Sequence, residues 1–176
     1  LKDFSGWLHA DGYQGYHKLP EKIRVVGCWA HVRRKFDEAL QTLPKDKRQG
    51  SPAAVGECYC TKLFQLEETL SELTAEERYT KRLELEKPVL DALLAWAEDA
   101  SVKTAPKSAL GKALHYLREQ WPYLIRYLED GRLELSNNRA ERSIKPFVMG
   151  RKNWLFSNTP AGAQSSAVIY SLIETV

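Results

Sequence analysis

Two carboxylates stand out as candidates for metal-assisted chemistry, and the first is Asp11. It follows residues 7–10, an apolar run that predicts a short strand, and it precedes Gly12. A sheet fixes a carboxylate at a strand end, while the following loop leaves space for a substrate, so this position suits a metal ligand. The same Asp-Gly pair is also typical of a simple turn. The sequence alone leaves both interpretations open.

The second candidate is Glu141, within the run NNRAERSIKP, which predicts the start of a helix at residues 137–138. The cations that surround or follow it are Arg139, Arg142, Lys145, Arg151 and Lys152. A metal-assisted phosphate site needs an acid that holds the ion and cations that hold the nucleic-acid backbone. The alternative is structural, because Asn138 and Glu141 fit a capping box and Glu141 and Lys145 fit an i,i+4 ion pair.

A third group of candidates opens a predicted helix in the run CWAHVRRK. Cys28 and His31 have half of a zinc-ligand spacing without a second pair at a matching distance, so a zinc site is not expected. His31, Arg33 and Arg34 could instead line a phosphate groove, or they could form an ordinary solvated helix face. The sequence has no phosphate-binding loop, dinucleotide fingerprint, serine-nucleophile elbow or zinc-protease motif.

The elements that must position these residues are mostly helical. The predicted elements are strands at 7–10 and 23–28, a helix at 30–40, a loop at 44–56, helices through an acidic block at 57–99, a helix at 108–129, an extended stretch at 132–135, a helix from 137–138 and a last helix at 160–175. Within the acidic block, Thr74 and Glu77 fit a capping box that opens a second helix. Pro88 should kink or split that helix.

Composition narrows the class of protein. The chain has 176 residues, 43% hydrophobic and 28% charged, which excludes a disordered tail, a collagen-like fibre and a low-complexity linker. Its net charge of +3 is distributed as +4 over residues 1–56, −6 over 57–99 and +5 over 100–176, an asymmetry that favours a polyanionic partner. No apolar run approaches the ~18–20 residues of a membrane span, and three cysteines do not make a disulfide framework. We therefore expect a cytoplasmic protein without a membrane partner.

Four runs, in their order along the chain, closely resemble the catalytic region of the insertion sequence 66 family of bacterial DDE transposases. They are ADGYQGY, GCWAHVRRKF, YLEDGRLELSNNRAERSIKPFVMGRKNWLF and AVIYSLIET. The resemblance implies a helix-rich α/β fold of the RNase H-like type with a helical insertion. It divides the chain into a first core segment (1–43), the insertion (44–104) and a return to the core with the Glu-bearing helix (105–176).

The resemblance also assigns the site. Asp11 would be the second and Glu141 the third of three acidic residues that share Mg²⁺, for which Mn²⁺ can substitute. Only ten residues precede Asp11, so the first acid is expected upstream of Leu1. The chain is therefore expected to be an inactive piece of a longer protein that lacks its first strands. Cys28 and His31 look like a C-x-x-H feature that lies beside the catalytic groove in several such transposase groups.

The implied activity is metal-dependent cleavage of DNA at an element end, followed by strand transfer, in a homo-oligomer. The expected phosphate contacts are His31, Arg33, Arg34, Arg139, Arg142, Lys145, Arg151 and Lys152. Trp154 would stack on an unpaired base or pack in the core. Two alternatives share these residues. One is a non-catalytic DNA-binding or assembly module whose acidic helices bind a partner protein, and the other is an RNase H-like nuclease without strand transfer.

Overall fold

The computed structural model of the chain describes residues 3–154 and 159–175. In these residues it has two strands, β1 (Gly6–His9) and β2 (Ile23–Val26), and seven α-helices. The helices are α1 (Trp29–Gln41), α2 (Pro52–Thr69), α3 (Ala75–Leu85), α4 (Lys87–Lys103), α5 (Ala109–Leu124), α6 (Asn138–Trp154) and α7 (Pro160–Thr175). The chain divides into two compact units, Leu1–Asn137 and Asn138–Val176. The helix-rich composition with a small sheet is confirmed, and the three-part division at residues 43 and 104 stays a prediction.

The two strands form a parallel pair, with Gly6 opposite Ile23 and His9 opposite Val26. The crossover between them contains a short 3₁₀ turn, Gln14–Lys18. Strand β2 ends two residues before the predicted end, because the N–H of Gly27 donates to a carbonyl at the end of α5 (3.0 Å). Parallel pairing places the carboxyl ends of both strands at one edge, which is where open α/β sheets bind ligands.

Helices α1, α2, α4 and α5 build the core of the first unit. Large side chains with no exposed surface come from each of them: Trp29, Phe36, Leu63, Leu93 and Leu117. Trp29 lies edge-on to Trp121, with ring centroids 6.0 Å apart, and its indole N–H donates to the Leu124 carbonyl (3.1 Å). The helices of the predicted insertion therefore share one core with α1 and α5.

The predicted loop at residues 44–56 is shorter than expected, because α2 begins at Pro52. Ser51 caps this helix, since its Oγ accepts the N–H of Ala54 (3.3 Å), and proline suits a first turn where its missing N–H would have no partner. Gly56 lies inside the helix, and a Cβ there would come within 2.5 Å of the Phe36 ring. This glycine lets α2 pack closely on α1.

The capping box that opens α3 is confirmed. Thr74 Oγ1 accepts the N–H of Glu77 (3.4 Å), and Glu77 Oε2 accepts the N–H of Thr74 (3.0 Å). Pro88 splits the predicted helix, because α3 ends at Leu85 and α4 begins at Lys87. Proline again occupies a first turn, where it removes no helical hydrogen bond.

The acidic block contains a buried ion pair. Arg82 has no exposed surface and binds both carboxylate oxygens of Glu67 at 2.7 Å. Its other N–H groups donate to the carbonyls of Tyr127 (2.9 Å), Asp130 (3.2 Å) and Leu133 (2.7 Å). All five guanidinium N–H groups thus have partners. Since the three carbonyls belong to the segment between α5 and α6, Arg82 ties α2 and α3 to that segment.

Glu86 extends this buried cluster. Tyr127 Oη donates to Glu86 Oε2 (2.6 Å), and neither side chain is exposed. Burial, together with the nearby charge of Glu67 and against the opposing hydrogen bond from Tyr127, raises the pKa of the Glu86 carboxyl to about 8. Burial likewise raises the pKa of Tyr127 well above its ordinary value. A carboxyl in this position is protonated at neutral pH.

The second unit contains α6 and α7, both of which were predicted from the sequence. Pro146 lies inside α6 without ending it. Large apolar side chains on the two helices are between 49% and 65% exposed: Ile144, Val148, Met149, Val168, Ile169, Leu172 and Ile173. The basic run of α6 that includes Arg139, Arg142 and Lys145 is exposed as well.

Candidate functional site

Asp11 lies at the carboxyl end of β1, as predicted. The N–H of Ala10 donates to the carbonyl of Val26 (3.0 Å), so the strand ladder holds the residue immediately before it. Asp11 itself is exposed. Its Oδ1 accepts the N–H of Tyr13 (3.2 Å), which is the geometry of an Asx turn. The turn interpretation is therefore correct, and it leaves room for a metal, because a carboxylate has about four lone-pair sites.

Helix α5 packs against this turn, and no local sequence pattern indicates that contact. Tyr116 Oη donates to the backbone carbonyl of Asp11 (2.9 Å), across 105 residues of sequence. Gly12 has a φ of +83°, and a Cβ there would lie 2.7 Å from Tyr116 Oη and 3.0 Å from the Gln120 side chain. The turn therefore rests directly on α5.

The Tyr116 hydroxyl is a donor throughout the neutral pH range. Burial, with smaller contributions from the charges of Cys28 and Asp11, raises its pKa to about 12. Arg34 acts in the opposite direction. Tyr116 therefore contacts Asp11, and the charges of Cys28 and Arg34 act on its hydroxyl as well.

Cys28 occupies the same edge, between β2 and α1. It is buried, and its Sγ accepts the N–H of Asn137 (3.5 Å). The N–H of Trp29 donates to the carbonyl of Leu135 (3.1 Å). The segment that ends at Asn137 therefore runs along the first turn of α1, where His31 lies half-buried.

The cations of α1 have partners within the protein. The Arg33 guanidinium lies over the Phe64 ring, 4.7 Å from its centroid. Arg34 and Lys35 both approach Glu38, at 3.8 and 3.0 Å. Arg34 keeps 61% of its side chain exposed, so of these it is the most accessible to a phosphate.

Glu141 lies in the first turn of α6 and is exposed, as are Arg139, Arg142 and Lys145. Arg142 Nε donates to the carbonyl of Asn138 (3.3 Å). The side chains of the predicted contacts Arg151 and Lys152, and that of Trp154, lie outside the part of the chain that the structure describes. Asp11 belongs to the first unit and Glu141 to the second, and their sharing of one metal site stays a prediction.

The donor chemistry suits a hard divalent ion. In the described part of the chain, no three His, Cys, Asp or Glu side chains form a group that could hold a metal. Mg²⁺, however, prefers oxygen ligands, keeps several waters and commonly takes only one or two protein carboxylates. Asp11 supplies such a carboxylate, exposed on a turn that is fixed by backbone hydrogen bonds.

Comparison with known proteins places this arrangement in a family. Three uncharacterized proteins of Sinorhizobium fredii (strain NBRC 101917 / NGR234) match 99% of the chain: y4hP at 32% identity, y4qI at 32% and y4jD at 33%. The chain spans 34%, 33% and 35% of their respective lengths. No solved structure matches. Among the described residues, no helix is both long and apolar enough to cross a membrane.

The family model described as Transposase IS66 family matches residues 1–165, which include Asp11, the Cys28–His31 turn and the Glu141 helix. This match covers the first unit and continues through α6 into the beginning of α7. The chain therefore belongs to the IS66 family of transposases.

Proposed function

We propose that this chain supplies two of the three acidic ligands of a DDE transposase with an RNase H-like core. The observation that carries the proposal is the setting of Asp11, which is exposed at the carboxyl edge of a parallel strand pair, on a turn fixed by β2 and α5. Family membership supports a role in DNA transposition.

In this proposal Asp11 and Glu141 hold Mg²⁺ or Mn²⁺ through their carboxylate oxygens. Bound ions of this kind stabilise the attacking and leaving oxygens of a phosphodiester during in-line displacement. The family match, which includes the Glu141 helix, supports a contribution from Glu141.

The basic side chains bind DNA phosphates in this proposal. The exposed cations of α6 surround Glu141 in the sequence, and the charge of Arg34 acts on Tyr116, which contacts Asp11. His31 and Arg33 line the same helix start, and Arg151 and Lys152 continue the basic run of α6. Phosphate contacts of this type position a duplex without reading its sequence. Bringing two element ends together would require a homo-oligomer.

Manganese binding tests the proposed metal site directly. We expect the electron paramagnetic resonance signal of free Mn²⁺ to fall when the chain is added, and Asp11→Asn and Glu141→Gln each to weaken this binding. Asp99→Asn and Glu84→Gln are matched controls, because both remove an exposed carboxylate from the acidic block. Binding by Asp11→Asn and Glu141→Gln that equals wild type would exclude both residues from the site.

A salt titration tests the DNA interface. The slope of log K against log [salt] for DNA binding is about −0.9 per phosphate neutralised. The variant Arg139→Ala/Arg142→Ala/Lys145→Ala loses up to three phosphate contacts, so its slope should be less steep by up to about 2.7. The control removes cations that pair with acidic neighbours on α4, Lys87 and Lys103. An unchanged slope in the α6 variant would remove these residues from the DNA interface.

Activity in a protein of the relatives' full length separates transposase from its alternatives. With Mn²⁺ and pre-cleaved element ends, we expect strand-transfer products, and Glu141→Gln should abolish them while DNA affinity persists. Cleavage without transfer would favour a nuclease. DNA binding without any metal-dependent product would favour a non-catalytic module.

A further inference from the structure

We propose that Tyr116 is a positioning residue that fixes the Asp11 turn from α5, so that the carboxylate is held in a geometry ready for a metal. This inference rests on the proposed function, because it gives Tyr116 a role in the same site. Its starting point is the hydrogen bond from Tyr116 Oη to the Asp11 carbonyl (2.9 Å). This bond joins two elements that lie far apart in sequence.

The Asp11 backbone is held from two directions. On its N-terminal side, Ala10 donates to the Val26 carbonyl in the last step of the strand ladder. On its C-terminal side, the Asp11 carbonyl accepts the Tyr116 hydroxyl. The peptide group that precedes Ala10 and the one that follows Asp11 are thus both anchored, which restricts the direction of the Asp11 Cα–Cβ bond. The Tyr13 N–H, which donates to Asp11 Oδ1, restricts the carboxylate itself.

Gly12 explains why the hydroxyl can approach so closely. A Cβ at this position would lie 2.7 Å from Tyr116 Oη and 3.0 Å from Gln120, and its φ of +83° favours glycine. Tyr116 and Gln120 are four residues apart on α5, so they lie on the same face of the helix. Together they form a surface on which only a glycine turn fits.

The hydroxyl suits this role because a phenol O–H donates well to a backbone carbonyl, here at 2.9 Å. Groups that orient a metal ligand in this way commonly change metal affinity by about 10–100-fold when they are removed.

The experiment compares Tyr116→Phe with wild type, Asp11→Asn and Tyr79→Phe. Tyr116→Phe removes only the hydroxyl, and Tyr79 is a partly exposed tyrosine on α3 that serves as the control. We expect Tyr116→Phe to weaken Mn²⁺ binding about tenfold or more, while Tyr79→Phe binds as wild type. In the metal-free protein, amide hydrogen exchange at Gly12 and Tyr13 should accelerate in Tyr116→Phe, while exchange in the α2 and α4 core stays unchanged.

The outcomes separate this inference from the proposed function. If Asp11→Asn loses Mn²⁺ binding and Tyr116→Phe binds as wild type, the inference is wrong and the metal site stands. If Asp11→Asn binds as wild type, the metal site itself fails and the inference fails with it. Global acceleration of exchange in Tyr116→Phe would assign the residue a purely structural role and would also overturn the inference.

A second variant tests the same contact without depending on Tyr116→Phe alone. Gly12→Ala places a methyl group against Tyr116 Oη and should weaken Mn²⁺ binding. Removing that oxygen in the double variant Gly12→Ala/Tyr116→Phe relieves the clash, so the two effects should be less than additive. Strict additivity would show that the hydroxyl and the turn do not act together.

Discussion

Replacing Arg82 with methionine should destabilise the first unit more than any other single change of a charged side chain in the acidic block. Methionine keeps an unbranched chain as far as the position of Nε, but the change leaves the Glu67 carboxylate without its two hydrogen bonds and three carbonyls without their donor. Removing one partner of a buried ion pair costs roughly 3–5 kcal/mol, because the remaining charge stays buried and uncompensated. Typical stabilities are about 5–15 kcal/mol, so the variant should still fold in the absence of denaturant.

Urea denaturation followed by tryptophan fluorescence measures this loss. Most of the fluorescence reports the first unit, since four of the five tryptophans belong to it. Trp29 is fully buried in its core, and Trp121 packs against it. With a slope of about 2 kcal/mol per molar urea, the midpoint should fall by about 2 M. Lys81→Met is the control, because Lys81 is adjacent, equally charged and half-exposed in its pair with Glu84. It should cost less than about 1 kcal/mol.

The double variant Arg82→Met/Glu67→Leu tests the same ion pair in a second way. Replacing both partners of a buried pair by apolar side chains removes the uncompensated charge, so the double variant should be more stable than Arg82→Met. A loss below about 1 kcal/mol in Arg82→Met would refute the argument that this ion pair holds the segment after α5. A double variant less stable than the sum of the single changes would refute it as well.

Two further predictions concern the same helices. Burial raises the pKa of Glu86 in the folded state to about 8, whereas its pKa in the unfolded state is near 4.3. The protonated carboxyl therefore stabilises the folded state fully below pH ~4.3, and this stabilisation is lost as the pH rises through about 8. The free energy of unfolding should therefore fall between about pH 4.5 and 8 more steeply in wild type than in Glu86→Gln, and parallel pH profiles would contradict this. Thr74→Ala removes the capping hydroxyl of α3 and should cost about 1 kcal/mol, whereas Thr80→Ala in the same helix should cost almost nothing; equal losses in urea denaturation would show that the cap does not contribute.

Much of the local structure could be predicted from the sequence, because its causes are local. The capping box at Thr74 fixes the start of α3, and Pro88 must stand in a first turn, so both boundaries follow from neighbouring residues. The strand before Asp11 and the helix that carries Glu141 follow from short patterns in the same way. The start of α2 was missed because its Pro and Gly residues are typical of loops, whereas Ser51 and the packing of Gly56 on Phe36 make them helical.

The parts of the site that sequence patterns do not predict are contacts between distant segments of the chain. The Tyr116 side chain reaches Asp11 across 105 residues, and the Asn137 N–H reaches Cys28 across 109. No periodicity or spacing connects such positions, because they become neighbours only when α5 and the segment after it pack against the sheet edge. The packing of α5 against the Asp11 turn therefore could not be predicted, although the turn itself could.

The net charge of the acidic block does not say which of its carboxylates act within the chain. Its excess of carboxylates suggests a surface for a basic partner, but the structure uses many of them within the chain. Lys87 and Lys103 pair with acidic neighbours at 2.6 Å, Glu67 is bound by Arg82, and Glu86 is buried with a pKa that keeps it neutral near pH 7. The residues of the block that are most unusual for their burial, Arg82 and Glu86, face the segment that leads from α5 toward α6. The buried part of the block therefore supports that segment, whereas a partner protein for its exposed carboxylates stays a prediction. The loss of stability in Arg82→Met measures how much support the buried part gives.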